Sequence, residues 1–223
     1  MGKLYLVATP IGNLEDVSQR ALRILQEAHM VACEDTRHTQ ILLRRYDIRA
    51  KHLTSYTEFN HRRKVAELIG QLGRGWDVAL VSDAGTPGLS DPGEQLVRAA
   101  IDAGHEVVPV PGPAAAIAAL VASGLPTREF TFVGFVDKKS GPRRRQLERL
   151  LAEGRTIVLY ESPYRLADLL ADLAAVAPAA RVVVARELTK MHEELVRGTA
   201  AELAPRFAEH PTKGEVTVVV GPS

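Results

Sequence analysis

The sequence has few cysteines, few aromatic residues, little net charge and no long hydrophobic run. Its single cysteine, Cys33, has no partner for an internal disulfide and cannot build a multi-cysteine metal site. Aromatic residues make up 5% of the chain and the net charge is +1, so any contact with nucleic acid must come from a local basic patch. No apolar run approaches the about 20 residues that span a bilayer, and no signal peptide is recognisable. We therefore expect a cytoplasmic protein without a membrane segment.

Several common enzyme motifs are also missing. No Gly-x-Gly-x-x-Gly follows a strand pattern, and there is neither a Walker-type Gly-Lys-Ser/Thr loop nor a Gly-x-Ser-x-Gly elbow. The seven histidines are scattered without metal-ligand spacing, so we expect no metal site. The chain does have 223 residues, 46% of them hydrophobic, which is ample material for a large buried core.

Strand and helix patterns alternate along the whole chain, which indicates an α/β protein. The first half predicts five β-α repeats and hence a mostly parallel sheet covered on both faces, with strands at residues 3–9, 30–33, 53–56, 78–81 and 106–110. Pro109–Pro113 is the stiffest segment and predicts a domain junction, giving lobes 1–111 and 112–223. The second half predicts strands at 130–134, 156–160, 182–185 and 216–220, with helices at 114–122, 143–151, 162–175 and 199–207.

Four helix starts carry capping signals. Asp16 and Gln19 predict a capping box, and Thr36 is the predicted cap of the next helix. Two further starts have a cap followed by proline, which are Asp91-Pro92 (with Glu94 at the third helical position) and Ser162-Pro163.

The loop after the buried strand 78–81 is the most informative segment. It consists almost entirely of Gly, Pro, Ser, Thr and Asp up to Gly93, and it exceeds the about 2–6 residues usual between a strand and a helix. Ligands of open α/β sheets bind outside the carboxyl ends of strands, so we interpret it as a small-molecule binding loop, with ordinary turns as the alternative. Similar small-residue segments follow other predicted strands, at 9–13, 111–116 and 160–163.

Three charged segments have both a structural and a functional interpretation. The acidic segment Glu34–His38 either caps the next helix or meets a substrate, and Ala185–Lys190 is either a strand reaching the surface or part of the same site. The basic run Lys138–Arg145 contains five cations and is broken by Ser-Gly-Pro. It predicts a mobile loop that is either merely solvated or suited to phosphate contact.

Six segments together resemble a known family. They are Leu6–Leu14, Glu34–Arg37, Val81–Pro87, Asp91–Gly93, Pro109–Pro113 and Ala185–Lys190. In this order they resemble the small-subunit ribosomal RNA methyltransferase I family of the tetrapyrrole-methylase-like superfamily, and the resemblance extends over nearly the whole chain. It implies a two-lobed class III methyltransferase architecture, with a parallel sheet in the N-terminal lobe and a mixed sheet in the C-terminal lobe. It also implies S-adenosylmethionine in the cleft between the lobes, a homodimer, and 2′-O-methylation of a cytidine ribose in the decoding region of 16S rRNA in the small ribosomal subunit.

The resemblance also implies which positions contact the cofactor. These are Pro10, Asp83, Ala84, Thr86, Leu89, Ala114, Ala115, Tyr160, Leu188, Gly214 and Glu215. From their positions at strand ends we expect the charged residues Glu34, Asp35, Arg37, Glu187 and Lys190 to act on the acceptor hydroxyl. The expected RNA contacts are Lys138, Lys139, Arg143, Arg144 and Arg145.

Two alternatives remain at this point, a tetrapyrrole methyltransferase and a non-catalytic RNA-binding or assembly module. The chain also departs from the family in one respect, since many members continue into a helical C-terminal extension whereas this sequence stops at Ser223.

Overall fold

The computed structural model describes residues 1–91, 93–210 and 212–222. The chain divides into two compact units, Met1–Ala114 and Ala115–Ser223, each with its own five-stranded sheet.

The first unit has an all-parallel sheet, as the repeated strand-helix pattern predicts. Its strands lie in the order β3-β2-β4-β1-β5. They are β1 (Leu4–Val7), β2 (Met30–Cys33), β3 (Leu53–Ser55), β4 (Val78–Leu80) and β5 (Val107–Val110). The helices are α1 (Gln19–Glu27), α2 (Thr36–Arg45), α3 (His61–Gly73) and α4 (Gly93–Asp102), and a 3-10 turn covers Leu14–Asp16.

Both faces of this sheet are buried, because successive strand residues point to opposite sides. On one face Val7 and Val31 pack against α1 and α2. On the other face Leu4 and Leu80 pack against α3 and α4. The helices therefore fix the strand ends that carry the loops described below.

Two predicted caps of this unit are wrong. Ser18, not Asp16, caps α1, since its hydroxyl accepts from the Ala21 N–H while Asp16 belongs to the preceding 3-10 turn. Asp35 caps α2 by accepting from a backbone N–H, and Thr36 is the first helical residue. The prediction for Pro92 lies outside the described residues.

The second unit has a mixed sheet, in the order β6-β7-β10-β8-β9. The strands β6 and β7 are parallel, whereas the pairs β7-β10, β10-β8 and β8-β9 are antiparallel. The strands are β6 (Phe130–Gly134), β7 (Thr156–Glu161), β8 (Arg181–Arg186), β9 (Glu194–Thr199) and β10 (Val216–Val220). The helices are α5 (Ala115–Ser123), α6 (Ser140–Leu151), α7 (Leu166–Val176) and α8 (Ala200–Glu209), with α6–α8 on one face of the sheet and α5 on the other.

Two sequence predictions for this unit are corrected, and one strand was missed. The helix α7 starts at Leu166 rather than after Ser162, because residues 162–165 form a turn closed by the Arg165 N–H on the Ser162 carbonyl. The predicted mobile loop at Lys138–Arg145 is wrong from Ser140 onward, where α6 begins. Strand β9 was not predicted.

Candidate active site

Four loops meet at the carboxyl edge of the parallel sheet, because β2, β4, β1 and β5 are neighbours and point the same way. Thr9 and Gly85 exchange backbone hydrogen bonds of 2.9 and 3.1 Å. The Thr86 hydroxyl donates to the Pro113 carbonyl at 3.0 Å. The Asp35 N–H donates to Asp83 Oδ1 at 2.9 Å. The loop after β4 is thus bonded to each of the other three loops.

The loop after β4 is also ordered internally. Asp91 Oδ1 accepts from the N–H groups of Gly88 and Gly93, at 2.6 and 2.8 Å. Gly85 has φ +85°, a left-handed conformation that only glycine adopts without strain. The side chains of Ala84 and Leu89 remain exposed on this ordered loop, and a depression of about 40 Å³ lies beside Pro10 and Asp83.

The segment after β5 passes very close to the end of β1. A Cβ at Gly112 would lie 2.8 Å from the Ala8 Cβ, so a larger residue would push the two loops apart. Ala114 ends this unit and Ala115 begins α5. The glycine therefore sets the spacing of the strand-end loops.

Two adjacent carboxylates at the end of β2 have opposite pKa shifts. Burial, together with the charges of Asp83 and Asp91, raises the pKa of Glu34 to about 6. Hydrogen bonds from the Arg37 side chain and backbone lower the pKa of Asp35 to about 2. The Arg37 guanidinium binds both oxygens of Asp35, at 3.1 and 2.7 Å. Of the two, Glu34 is the group suited to exchange a proton near neutral pH.

Asp91, which the sequence indicated only as a helix cap, contributes to the raised pKa of Glu34. Its own pKa is raised by burial, against the opposing hydrogen bonds from Gly93 and Gly88. Nothing local in the sequence places it near Glu34, which is distant in the chain.

In the second unit, three of the predicted site residues form one hydrogen-bonded cluster, and Gly214 packs against it. Lys190 Nζ lies 2.8 Å from Glu187 Oε1 and 3.0 Å from Glu215 Oε2, and the Glu215 N–H donates to Glu187 Oε1 at 2.9 Å. The Lys190 hydrogen bond lowers the pKa of Glu187. Gly214 has φ +88°, and a Cβ there would clash with the Glu187 side chain. The cluster joins the end of β8 to the start of β10.

Tyr160 and Leu188 lie on the face of the mixed sheet that α5 covers. The Tyr160 hydroxyl accepts from the Ala116 N–H at 3.3 Å, and its ring contacts Phe132 edge-on with centroids 5.0 Å apart. Burial raises the pKa of the Tyr160 phenol, so the hydroxyl stays neutral. Through its hydroxyl, Tyr160 therefore satisfies a backbone N–H in the first turn of α5.

The five predicted RNA-contact cations are not equivalent. The Arg143 side chain is only 3% exposed, and its guanidinium binds Asp172 at 2.7 Å, so its charge is not presented at the surface. Arg144 also bonds Asp172, at 2.6 Å, but remains half-exposed. The other three are exposed, namely Lys138, Lys139 and Arg145.

Over the described ranges 1–91, 93–210 and 212–222, no three His, Cys, Asp or Glu side chains are grouped so that they could hold a metal ion. No helix in that part of the chain is long and apolar enough to cross a membrane.

Comparison with known proteins identifies the fold. Residues 3–204 match the family of Tetrapyrrole (Corrin/Porphyrin) Methylases. The structure is similar to that of uroporphyrin-III C-methyltransferase from Thermus thermophilus complexed with S-adenyl homocysteine, with TM-score 0.68 and 21% identity over 99% of this chain and 97% of that one. The predicted α/β architecture, parallel in the first unit and mixed in the second, is confirmed. The protein is a methyltransferase.

Two curated relatives are similar to almost the whole chain. One, from Synechocystis sp., is 49% identical over 99% of this chain and 79% of its own length. The other, from Mesorhizobium japonicum, is 51% identical over 99% of this chain and 75% of its own. Both are named Ribosomal RNA small subunit methyltransferase I. The chain belongs to this family.

Proposed function

We propose that this protein transfers a methyl group from S-adenosylmethionine to the ribose 2′-hydroxyl of a cytidine in the decoding region of 16S rRNA. The main support for this proposal is the position and pKa of Glu34, a half-buried carboxylate at the end of β2 whose pKa is about 6. The curated relatives are named Ribosomal RNA small subunit methyltransferase I. We further propose that it acts in the cytoplasm as a homodimer on the small ribosomal subunit.

The residues of the strand-end loops fit a sulfonium cofactor. The Asp83 carboxylate supplies negative charge, and the neighbouring Ala84 is small and exposed, so it leaves room for a ligand beside the loop. When bound, the cofactor supplies an electrophilic methyl group on a positively charged sulfur. We assign cofactor contacts in the first unit to Pro10, Asp83, Ala84, Thr86, Leu89 and Ala114. Those in the second unit are Ala115, Tyr160, Leu188, Gly214 and Glu215.

Glu34 is proposed as the general base. A ribose hydroxyl becomes a good nucleophile only as it loses its proton, and a base is most effective when its pKa lies near the working pH. With the cofactor bound, the Glu34 carboxylate would accept the hydroxyl proton as the ribose oxygen takes the methyl group, and the cofactor would leave as a neutral thioether. Asp35 is too weak a base for this step because its pKa is about 2, and we assign it with Arg37 to holding the loop.

Glu187 and Lys190 are proposed to fix the end of β8 and to place their charges toward the acceptor. Burial opposes protonation of Lys190, but the hydrogen bonds that its ammonium donates to Glu187 and Glu215 outweigh burial and raise the pKa of Lys190. Lys190 therefore remains a cation, which can stabilise negative charge developing on an oxygen.

Contact with the RNA phosphates is assigned to Lys138, Lys139, Arg144 and Arg145, which are exposed or half-exposed. Arg143 is left out of this set because its guanidinium is buried on Asp172.

The decisive experiment incubates the protein with radiolabelled S-adenosylmethionine and small subunits that lack the modification, and maps the labelled nucleotide. The expected result is label on one cytidine 2′-oxygen, with naked 16S rRNA and fully modified subunits as controls. Label on a base, or label entering only an added porphyrinoid, would contradict the proposal. Subunit binding without any cofactor binding or transfer would instead support an assembly module.

A further inference from the structure

An exposed aromatic ring precedes the basic segment of the second unit. Phe135 is 54% exposed, whereas the next residue, Val136, is 3% exposed and packs in the core with α6 and α7. Lys138 and Lys139 follow on the surface. The ring is therefore held outward by its buried neighbour, next to two cations.

Two ion pairs, one buried and one partly buried, hold the backbone of this segment. Arg165 Nη2 binds Glu161 Oε2 at 2.8 Å and also donates to the Val136 carbonyl at 3.1 Å. Arg143 binds Asp172 and also donates to the Lys138 carbonyl at 3.3 Å. Each arginine therefore bonds a backbone carbonyl of this segment in addition to its carboxylate partner.

The helix α6 adds a third contact. The Asp137 N–H donates to Gln146 Oε1 at 3.0 Å. The carbonyls of Val136 and Lys138 and the N–H of Asp137 are therefore all hydrogen-bonded. Because the segment is already held in one conformation, it loses less conformational entropy when it binds a ligand.

The surface around Phe135 combines an exposed aromatic ring, two lysines and an open depression. An open depression of about 490 Å³ is lined by Phe135, Lys138, Lys139, Pro142 and Gln146, with Val136 and Asp137 at its wall. The Tyr160 ring lies 6.1 Å from that of Phe135, tilted by 59°. Stacking platforms flanked by cations are the usual means of binding unpaired nucleotides.

We propose that Phe135 stacks on an unpaired base of the RNA segment that carries the acceptor ribose, while Lys138 and Lys139 contact the flanking phosphates. The inference rests on the proposed function. It adds that the RNA substrate must present an unpaired nucleotide to Phe135. The negative backbone of RNA complements the two lysines, and any base offers a face to the ring.

The first test compares methyl transfer to unmodified small subunits by Phe135→Ala, Phe135→Trp and the wild type. Loss of one base stack corresponds to a decrease of about 5- to 150-fold in kcat/KM for Phe135→Ala. Phe135→Trp is expected to retain activity, and the Kd of S-adenosylmethionine to stay unchanged in both. Phe59→Ala is the matched control, since Phe59 is a fully exposed phenylalanine of the first unit.

The second test uses fluorescence and salt. The introduced indole of Phe135→Trp is expected to be quenched by poly(C), after subtraction of the Trp76 signal that the wild type shares. Lys138→Ala is expected to reduce the slope of log K against log salt by about one.

The outcomes separate the two proposals. A wild type that methylates subunits, together with a Phe135→Ala variant of unchanged kcat/KM, overturns the stacking role and leaves the methylation standing. A Phe135→Ala variant that binds S-adenosylmethionine more weakly assigns the ring to the cofactor and also overturns it. A wild type that methylates no RNA overturns the proposed function itself, whatever poly(C) binding shows.

Discussion

Glu34 and Asp35 are neighbours in sequence, yet only Glu34 has a pKa suited to proton transfer. The difference arises from surroundings: burial with Asp83 and Asp91 for one, and the Arg37 ion pair for the other. Proton transfer at this edge should therefore depend on one carboxylate alone.

Glu34→Gln is expected to lower kcat by about 100- to 10,000-fold, because the substitution removes the base but keeps the size of the side chain. The affinity for S-adenosylmethionine should change little. Asp35→Asn is the matched control, and its effect is expected to be smaller. Single-turnover methyl transfer and calorimetric titration measure the two quantities, and full turnover by Glu34→Gln would exclude Glu34 as the base.

Asp83→Asn is expected to shift the acid limb of the pH profile to lower pH. In the wild type Glu34 must be ionised to accept a proton, so kcat/KM should fall as the pH drops below about 6. Removing the Asp83 charge lowers the pKa of Glu34, while the asparagine oxygen still accepts from the Asp35 N–H. Asp102→Asn, an exposed change at the end of α4, should leave the limb in place. An unshifted limb in Asp83→Asn would contradict this coupling.

At this scale the sequence identifies the acidic segment but not the role of each residue. Asp35 and Glu34 are both plausible bases by type. What separates them is the approach of Asp83 and Asp91, about fifty residues away in the chain, which only the sheet order β2-β4 produces. Arg143 illustrates the same limit, since its partner Asp172 lies on another helix.

Among the elements, the junction of α6 with α7 depends on one carboxylate. Asp172 accepts from Ser140, Arg143 and Arg144 at 2.7, 2.7 and 2.6 Å. Burial raises its pKa, but these hydrogen bonds and the charge of Arg143 outweigh burial, so the pKa lies below the usual value.

Asp172→Asn is expected to lower the free energy of unfolding by about 3–5 kcal/mol, because it leaves the buried Arg143 charge without its partner. Asp168→Asn on the exposed side of α7 is the control and should change it by less than about 0.5 kcal/mol. Urea unfolding measures both.

The pH dependence of this contribution follows from the lowered pKa of Asp172. The wild-type advantage over Asp172→Asn should be fully present above the ordinary pKa of an aspartate and should be lost as the pH falls through the lowered native value. An advantage that grew on acidification would contradict the assignment.

Elements were predicted best where side-chain type and burial agree. The strands Met30–Cys33, Phe130–Gly134 and Val216–Val220 have the predicted bounds, since each is a short apolar run. Strand β9 was missed because Glu194–Thr199 carries charges on an edge position, and α6 starts early because proline is tolerated in a first helical turn.

For the whole molecule, the proposed cofactor site predicts stabilisation by ligand. S-adenosylhomocysteine at about 100 times its Kd should stabilise the native state by about 2.7 kcal/mol. For a chain of this size that raises Tm by about 5–10 °C. Thermal unfolding with adenosine monophosphate as the control ligand measures the effect, and an unchanged Tm at saturation would argue against cofactor binding.

The fold class followed from the alternation of strands and helices, and the family from six short segments. The order of the strands in each sheet did not follow from the sequence, because it depends on the path of the connections between strands.

The order of the second sheet has a consequence during protein synthesis. Strand β10 lies at its centre, between β7 and β8, although it is the last of the sheet to leave the ribosome. The first unit can complete its sheet while translation continues, whereas β8 and β9 must wait for residues 216–220 as an unjoined hairpin, exposed to chaperones and proteases.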